Sequence, residues 1–359
     1  DGTRYPTGIV TPSLINPELT WEKSTTKNLG FDFTFLQNRL TFCADIFERK
    51  VTDILIPGGK DYPALIGDDN LPFENAGVLK TTGFELQAKW SDKLSNGFAY
   101  SVGVALSDDK AEVLSYPSNP TNKIGDGVLY KGYTVGDIWG YETGGILQES
   151  DFDGVGPNGK PLYHGAYFKG GQPYPGYVWY QDLDHDGVIT SGLSTVDDPG
   201  DKKVIGNNAP RYRYNITANF QYKGFDLDLM FQGVGKRDYW LKDVSSYWGG
   251  GAGSWETYNQ SWTPERTDAK FPMYGSGIGS YAQSGYLLDA SYIKLKQVIL
   301  GYTFPKALIG KVGLEKLRLN IAAYNLFTLS DVPKYYDSDY LSDAYPPKRT
   351  FSVGIQVGF

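Results

Sequence analysis

Between Lys348 and Phe359 the chain reads KRTFSVGIQVGF, and its apolar residues Phe351, Val353, Ile355, Val357 and Phe359 fall at strict period two. Between them stand Thr350, Ser352, Gly354, Gln356 and Gly358, all small or polar. Successive side chains of a strand point to opposite faces. This stretch therefore predicts a strand with one wholly apolar face and one hydrophilic, nearly uncharged face. Neither a charge nor a proline blunts the apolar face, as an edge of a soluble sheet would require. Two readings fit this strand taken alone: a lipid-facing barrel strand and a buried strand of a soluble all-β protein.

The same alternation recurs along the chain. It predicts strands near 24–36, 39–56, 78–92, 96–113, 211–223, 225–240, 291–304, 316–328 and 348–359. In the seventh of these the apolar parity switches, from Ile293 and Leu295 to Val298, Leu300, Tyr302 and Phe304. One extra residue at Lys296 or Gln297 would do this, so a bulge is expected there. The connections alternate between short turns and long loops, the long ones at 57–77, 114–210, 241–290 and 329–347. The segment 114–210 reads as irregular throughout. All short connections thus fall at one end and all long ones at the other, as in outer-membrane barrels with short periplasmic turns and long outer loops. Strand cores of about 8–12 residues match the roughly 9–11 needed to cross a bilayer at a tilt. Charges in the strand cores keep to the polar parity. The expected fold class is all-β: a transmembrane antiparallel β-barrel with long extracellular loops. Bacterial single-chain barrels have an even strand count, so nine strands imply an upstream neighbour and read as the C-terminal part of a larger barrel.

Composition narrows the function. The chain has 359 residues, a formal net charge of −7, 28 Tyr and 44 Gly, but two His and one Cys. An acidic chain argues against nucleic acid as a partner. A single cysteine, Cys43, excludes an internal disulfide framework, and its place on the polar parity suits a small wall residue. No apolar run reaches the roughly 18 residues of a membrane-spanning helix. An enzyme is not indicated: His164 and His185 are the only histidines, and no nucleophile motif such as G-x-S-x-G occurs.

Several motifs resemble the SusC/RagA-type TonB-dependent outer-membrane transporters. The run Asn16-Pro17-Glu18-Leu19-Thr20-Trp21-Glu22 followed by Asn28-Leu29-Gly30-Phe31-Asp32 looks like the family's NPxLxWE…NxGxD signature. Thr82-Gly83-Phe84-Glu85, Ile205-Gly206 before Pro210, Tyr222-Lys223-Gly224-Phe225-Asp226-Leu227, Tyr324-Asn325-Leu326-Phe327 and Tyr345-Pro346-Pro347-Lys348-Arg349-Thr350 follow in the family's order. The resemblance implies a barrel of about 22 strands, with residues 1–359 as the C-terminal part of its wall. The plug domain, TonB box and signal peptide would lie upstream. It also implies import of oligosaccharides, or in some members peptides, under a SusD-like surface lipoprotein. Energy would come from the TonB–ExbB–ExbD complex, and the wall would face outer-membrane lipids. Phe351, Val353, Ile355, Val357 and Phe359 resemble the terminal-strand signal of the barrel-assembly machinery.

Two groups of residues are candidates for binding. Asp182, Asp184 and Asp186 before Gly187 form D-x-D-x-D-G, a spacing that gathers carboxylates around one tight loop as in a calcium-binding EF-hand. The EF-hand's twelfth position should be Glu and is Leu193 here, so Asp197, Asp198 or Asp201 would have to complete a calcium cage. The bland alternative is an Asx-rich turn. The outer loops also carry Trp139, Tyr141, Trp179, Trp240, Trp248 and Trp255, on which sugar rings could stack; Tyr180, Tyr239, Tyr247 and Trp262 accompany them. The competing role is packing within the loops or contact with the lid. Trp90, Tyr212, Tyr222 and Tyr302, near strand ends, suit anchors at the membrane interface. A soluble calcium-dependent glycan-binding module and an outer-membrane lipase remain as other classes.

Overall fold

The computed structural model describes residues 16–58, 72–240, 258–276, 281–332, 336–341 and 347–359. Nine long strands form one antiparallel sheet: β1 (Lys23–Phe35), β2 (Leu40–Pro57), β3 (Phe73–Lys93), β4 (Ala99–Ser115), β5 (Arg211–Tyr222), β6 (Phe225–Lys236), β7 (Tyr292–Thr303), β8 (Lys316–Ser330) and β9 (Thr350–Gly358). Each strand pairs only with its neighbours in sequence. The connections 36–39, 94–98, 223–224 and 304–315 are tight, whereas 58–72, 116–210, 237–291 and 331–349 are long. In an antiparallel meander these two sets necessarily sit on opposite rims.

Register turns the alternation of each strand into rows across the sheet. One row runs Phe35, Leu40, Trp90, Val102, Ala218, Leu229, Val298, Ala323 and Phe351, apolar on every strand. Its neighbours on the same face are equally apolar: Phe33 lies opposite Phe42, and Leu300 opposite Ile321, which is opposite Val353. Much of this face is open among the described residues: Val353 is 77% exposed and Ile355 67%. In water such a band would be untenable at this size; against hydrocarbon it is the expected surface. Aromatic rings gather where the band meets the short turns. Phe225 and Tyr302 lie 4.5 Å apart, Tyr302 and Phe304 4.9 Å, and Phe98 and Phe220 6.1 Å.

The opposite face is polar. Asp32, Cys43, Gln87, Asn215, Gln232 and Lys294 occupy one row of it. A concavity of about 630 Å³ on this side is lined by Asp45, Glu85, Arg213, Gln232, Arg237 and Asp339 among others.

The expected bulge is present. On β7, Leu295 pairs with Phe231 and Gln297 with Met230, leaving Lys296 as the extra residue. The partner strand β8 also breaks register there, between Phe327 and Tyr324, and Asn325 takes a left-handed φ of 55°. Two details differ from the sequence expectation. β3 starts at Phe73, inside the stretch read as loop. The connection 304–315 holds a short helix α1 (Lys306–Ile309) continued by a 3-10 turn.

Candidate functional site: the outer-loop layer

The segment 116–210 is not irregular. Asp137–Tyr141 pairs antiparallel with Lys202–Asn207, Thr143–Ile146 with Val178–Tyr180, and Phe152–Val155 with Pro161–Tyr163. Tyr167–Phe168 pairs in parallel with Val188–Ile189. These pairs enclose small cores of their own. Tyr141, Val178, Tyr180 and Ile189 form one; Val113, Ile124, Tyr130 and Tyr133 form another. The next long loop is fastened to the first. Tyr141 donates its backbone N–H to Ala282 at 2.9 Å, Thr143 donates to Ser284 Oγ at 3.0 Å, and the Trp262 indole donates to Gln148 Oε1 at 2.9 Å.

The candidate aromatics have different positions. Tyr141 is 3% exposed and packs its ring against Phe168, Tyr180 and Tyr281 at 5.2–5.8 Å. Its face is therefore not offered to a ligand, and burial pushes its hydroxyl up to about 12. Trp139 is half-buried against the second core and donates its indole N–H to the Tyr130 hydroxyl at 2.9 Å. Trp240 is half-buried at the end of the described part of its loop. Trp248 and Trp255 lie outside the described residues. Trp179 lines a cavity in the outer loops, of about 290 Å³, with Tyr163, Tyr167, Phe168, Tyr177, Tyr180 and Tyr281 as its other aromatic walls. Leu147, Val178 and Ile189 add aliphatic surface, and no acidic or basic side chain lines it among the described residues. The Trp179 ring lies on Gly144, where a Cβ would fall 2.4 Å from ring atoms. Only glycine leaves the indole that seat. No sequence signal marked Gly144, because the contact depends on a pairing across more than thirty residues.

The acidic loop also differs from its motif. The carboxylates brought within 4.8 Å of one another are those of Asp182, Asp184 and Asp201. Asp186 is not among them. Its carboxylate turns back to accept the Val188 N–H at 2.8 Å, the local capping that such residues favour. Asp198 accepts from Leu193 N–H. Asp201 is fully buried and holds the loop closed by accepting the N–H groups of Leu183 and Thr190, each at 2.7 Å. Asp182 accepts from Gly187 N–H through Oδ2, while its Oδ1 is buried without a partner. Burial raises the Asp184 carboxyl above its ordinary range, with Asp201, Asp186 and Asp182 adding to the rise. Three oxygen-bearing groups with one orphaned oxygen match the donor chemistry of a hard cation.

A charged cluster that sequence reasoning missed ties the last long loop to the wall. Lys294 is 2% exposed, and its ammonium reaches Asp337 at 3.1 Å and Asp339 at 2.7 Å. Burial works against the Asp339 carboxylate, yet the Lys294 ammonium and the Tyr292 hydroxyl hold it below the usual carboxylate range.

Residues 2–326 match the family described as TonB dependent receptor-like, beta-barrel. Across its whole length the chain is 27% identical to TonB-dependent receptor P3 of Formosa agariphila, covering 36% of that protein. It is 26% identical to TonB-dependent receptor SusC of Bacteroides thetaiotaomicron over 97% of the chain and 33% of that protein. The chain therefore spans about a third of the length of these curated relatives. Among solved structures it superposes on the RagAB peptide transporter with a TM-score of 0.72 at 19% identity, over all of the chain and 38% of that one. The open-open state of the RagAB peptide importer gives 0.72 at 21% identity, over 96% of the chain and 35% of that one. At these identities the superposition establishes the fold.

Proposed function

Since the chain belongs to the TonB-dependent receptor family of outer-membrane β-barrels, of the SusC/RagA transporter type and non-enzymatic, we propose that the whole protein imports oligosaccharides beneath a SusD-like surface lipoprotein. TonB–ExbB–ExbD would drive it through a region outside this chain. The observation that carries this reading is the one-sided build. Every long connection stands on the rim opposite the tight turns, and the loop layer there holds an aromatic pocket with Trp179 in its wall. Planar rings around a cavity of this size suit one sugar ring stacked on an indole, with the rest of the chain held elsewhere in the loops and by the lid. Peptide import is the second reading, favoured by the aliphatic part of the same pocket, Leu147, Val178 and Ile189, which suits an apolar side chain. The soluble module gives way to the family and the exposed apolar band.

The test is to purify the intact complex from outer membranes in detergent, identify co-purifying proteins by mass spectrometry, and titrate it with glycans and peptides by calorimetry. A bound lipoprotein with saturable glycan binding supports the reading. Saturation by peptides alone changes the cargo, and a partner-free protein that binds neither overturns it.

Calcium belongs to the same proposal, held by Asp182, Asp184 and Asp201. The buried Oδ1 of Asp182, with no hydrogen-bond donor, is what a cation would satisfy. Calorimetric titration of the calcium-stripped complex should give saturable heat that Asp182→Asn abolishes. If neither that heat nor a thermal shift on chelation is seen, the cluster is a hydrogen-bonded turn.

A further inference from the structure

The turn that joins β7 to β8 has a surface that its own fold leaves uncovered. Residues 304–316 read FPKALIGKVGLEK. Within them α1 and its 3-10 continuation bury Ile309 but leave Leu308 60% and Val312 72% exposed. Those two aliphatics are four positions apart, the spacing that places side chains on one face of a helical turn. Lys306, Lys311 and Lys316 are also exposed, and none is paired with a carboxylate among the described residues. Glu315 is the single acid of the turn. The neighbouring turn adds Lys223 and is bound directly to this strand pair: Thr303 donates its N–H to the Gly224 carbonyl at 2.7 Å.

A turn that met only water would have no reason to expose its aliphatics beside its lysines. A lipid interface gives one, because apolar side chains enter the acyl boundary while cations meet headgroup phosphates. The turn itself starts from the apolar band of the wall. Phe304, at the start of the turn, packs its ring 4.9 Å from that of Tyr302, and Tyr302 lies 4.5 Å from Phe225. It also lies on the rim of tight turns, which in outer-membrane barrels is periplasmic.

We propose that the turn 304–316, with Lys223 beside it, is a docking site for anionic phospholipid of the periplasmic leaflet, Leu308 and Val312 entering the acyl boundary and the lysines holding the headgroup phosphate. The site is independent of the cargo. The test uses the full-length transporter with its lid, stripped of lipid and titrated with phosphatidylglycerol or phosphatidylcholine under native mass spectrometry. Wild type should retain phosphatidylglycerol preferentially. Each of Lys306→Gln, Lys311→Gln and Lys316→Gln should weaken that lipid about fivefold and leave phosphatidylcholine unchanged, while the three Lys→Arg variants should keep the preference. Leu308→Ser with Val312→Ser should weaken both lipids. Equal retention of the two lipids by wild type, or an unchanged preference in the triple Lys→Gln variant, overturns the proposal. So does loss of the preference in the lysine variants with full retention in the Leu308/Val312 variant, because the acyl boundary would then contribute nothing. Unaltered heat-dependent gel mobility of the variants shows that the barrel remains folded.

Discussion

Val353 and Ile189 are both branched aliphatics in strands, yet the first is 77% exposed and the second 1%. They stand for two regions built on opposite principles. The wall has one layer, and its apolar face is completed by lipid. The outer-loop layer encloses its own cores, as a soluble protein does. An exposed valine is therefore a defect in one region and the normal state in the other. The solvent on each side decides what a hydrophobic residue is for.

The strongest challenge to this contrast is at the residue that joins the two regions. Replacing Lys294 by Met leaves Asp337 without its cation and Asp339 with only Lys296, 3.8 Å away, at an expected cost of about 3–5 kcal/mol. Proteolysis should become faster at 336–341 while the wall hairpins keep their protection. Unchanged protection would mean that the wall does not hold this loop. Next is Val353→Arg on the lipid face, expected to cost about 2–4 kcal/mol near the midplane in denaturant titrations carried out in vesicles. The same change on a water-facing sheet should fall within about 0.5 kcal/mol, so a small value would erase the contrast. A finer comparison uses one substitution twice. Ile189→Val in the loop core should cost about 0.5–1.5 kcal/mol, whereas Ile355→Val should cost less because lipid fills the space of the lost methylene.

The mildest effect shows only at high pH. The Tyr141 hydroxyl, raised to about 12 by burial and by Tyr281 and Asp201, keeps a proton that an unfolded loop releases near pH 10. Its contribution is intact below about pH 10 and is lost as pH rises from there toward 12. A tyrosinate absorbance titration should show a late-ionising residue that disappears in Tyr141→Phe.

What could be read from the chain follows the same division. Alternation at period two is a local signal, so β1 to β9 were legible, and so was the bulge at Lys296, because a slipped parity is visible within ten residues. The short strands of 137–207 carry only two to six residues each, too few for a period to show. Asp201 was one of three candidates to join Asp182 and Asp184, and only the fold selects it, by seating its carboxylate on the N–H groups of Leu183 and Thr190. Spacing favoured Asp186, whose carboxylate instead satisfies its own turn. The partners of Lys294 lie more than forty residues downstream, beyond any local pattern.

The extra residue at Lys296 has a consequence for how this chain can change length. Because of it, Tyr292 and Lys294 face the same side as Gln297 although their numbers are even and its number is odd. Deleting Lys296 itself would restore a regular ladder and keep these sides, but deleting one residue from the regular part of β7, such as Ile299, would rotate Tyr292 and Lys294 outward and send Ile293 and Leu295 into the lumen. A buried ammonium would then meet hydrocarbon, and Asp337 and Asp339 would lose their shared cation. The wall thus tolerates gains and losses only in pairs, unless a bulge absorbs the odd one. The long loops obey no such arithmetic, so variation in length is free to accumulate on the rim where the cargo would arrive.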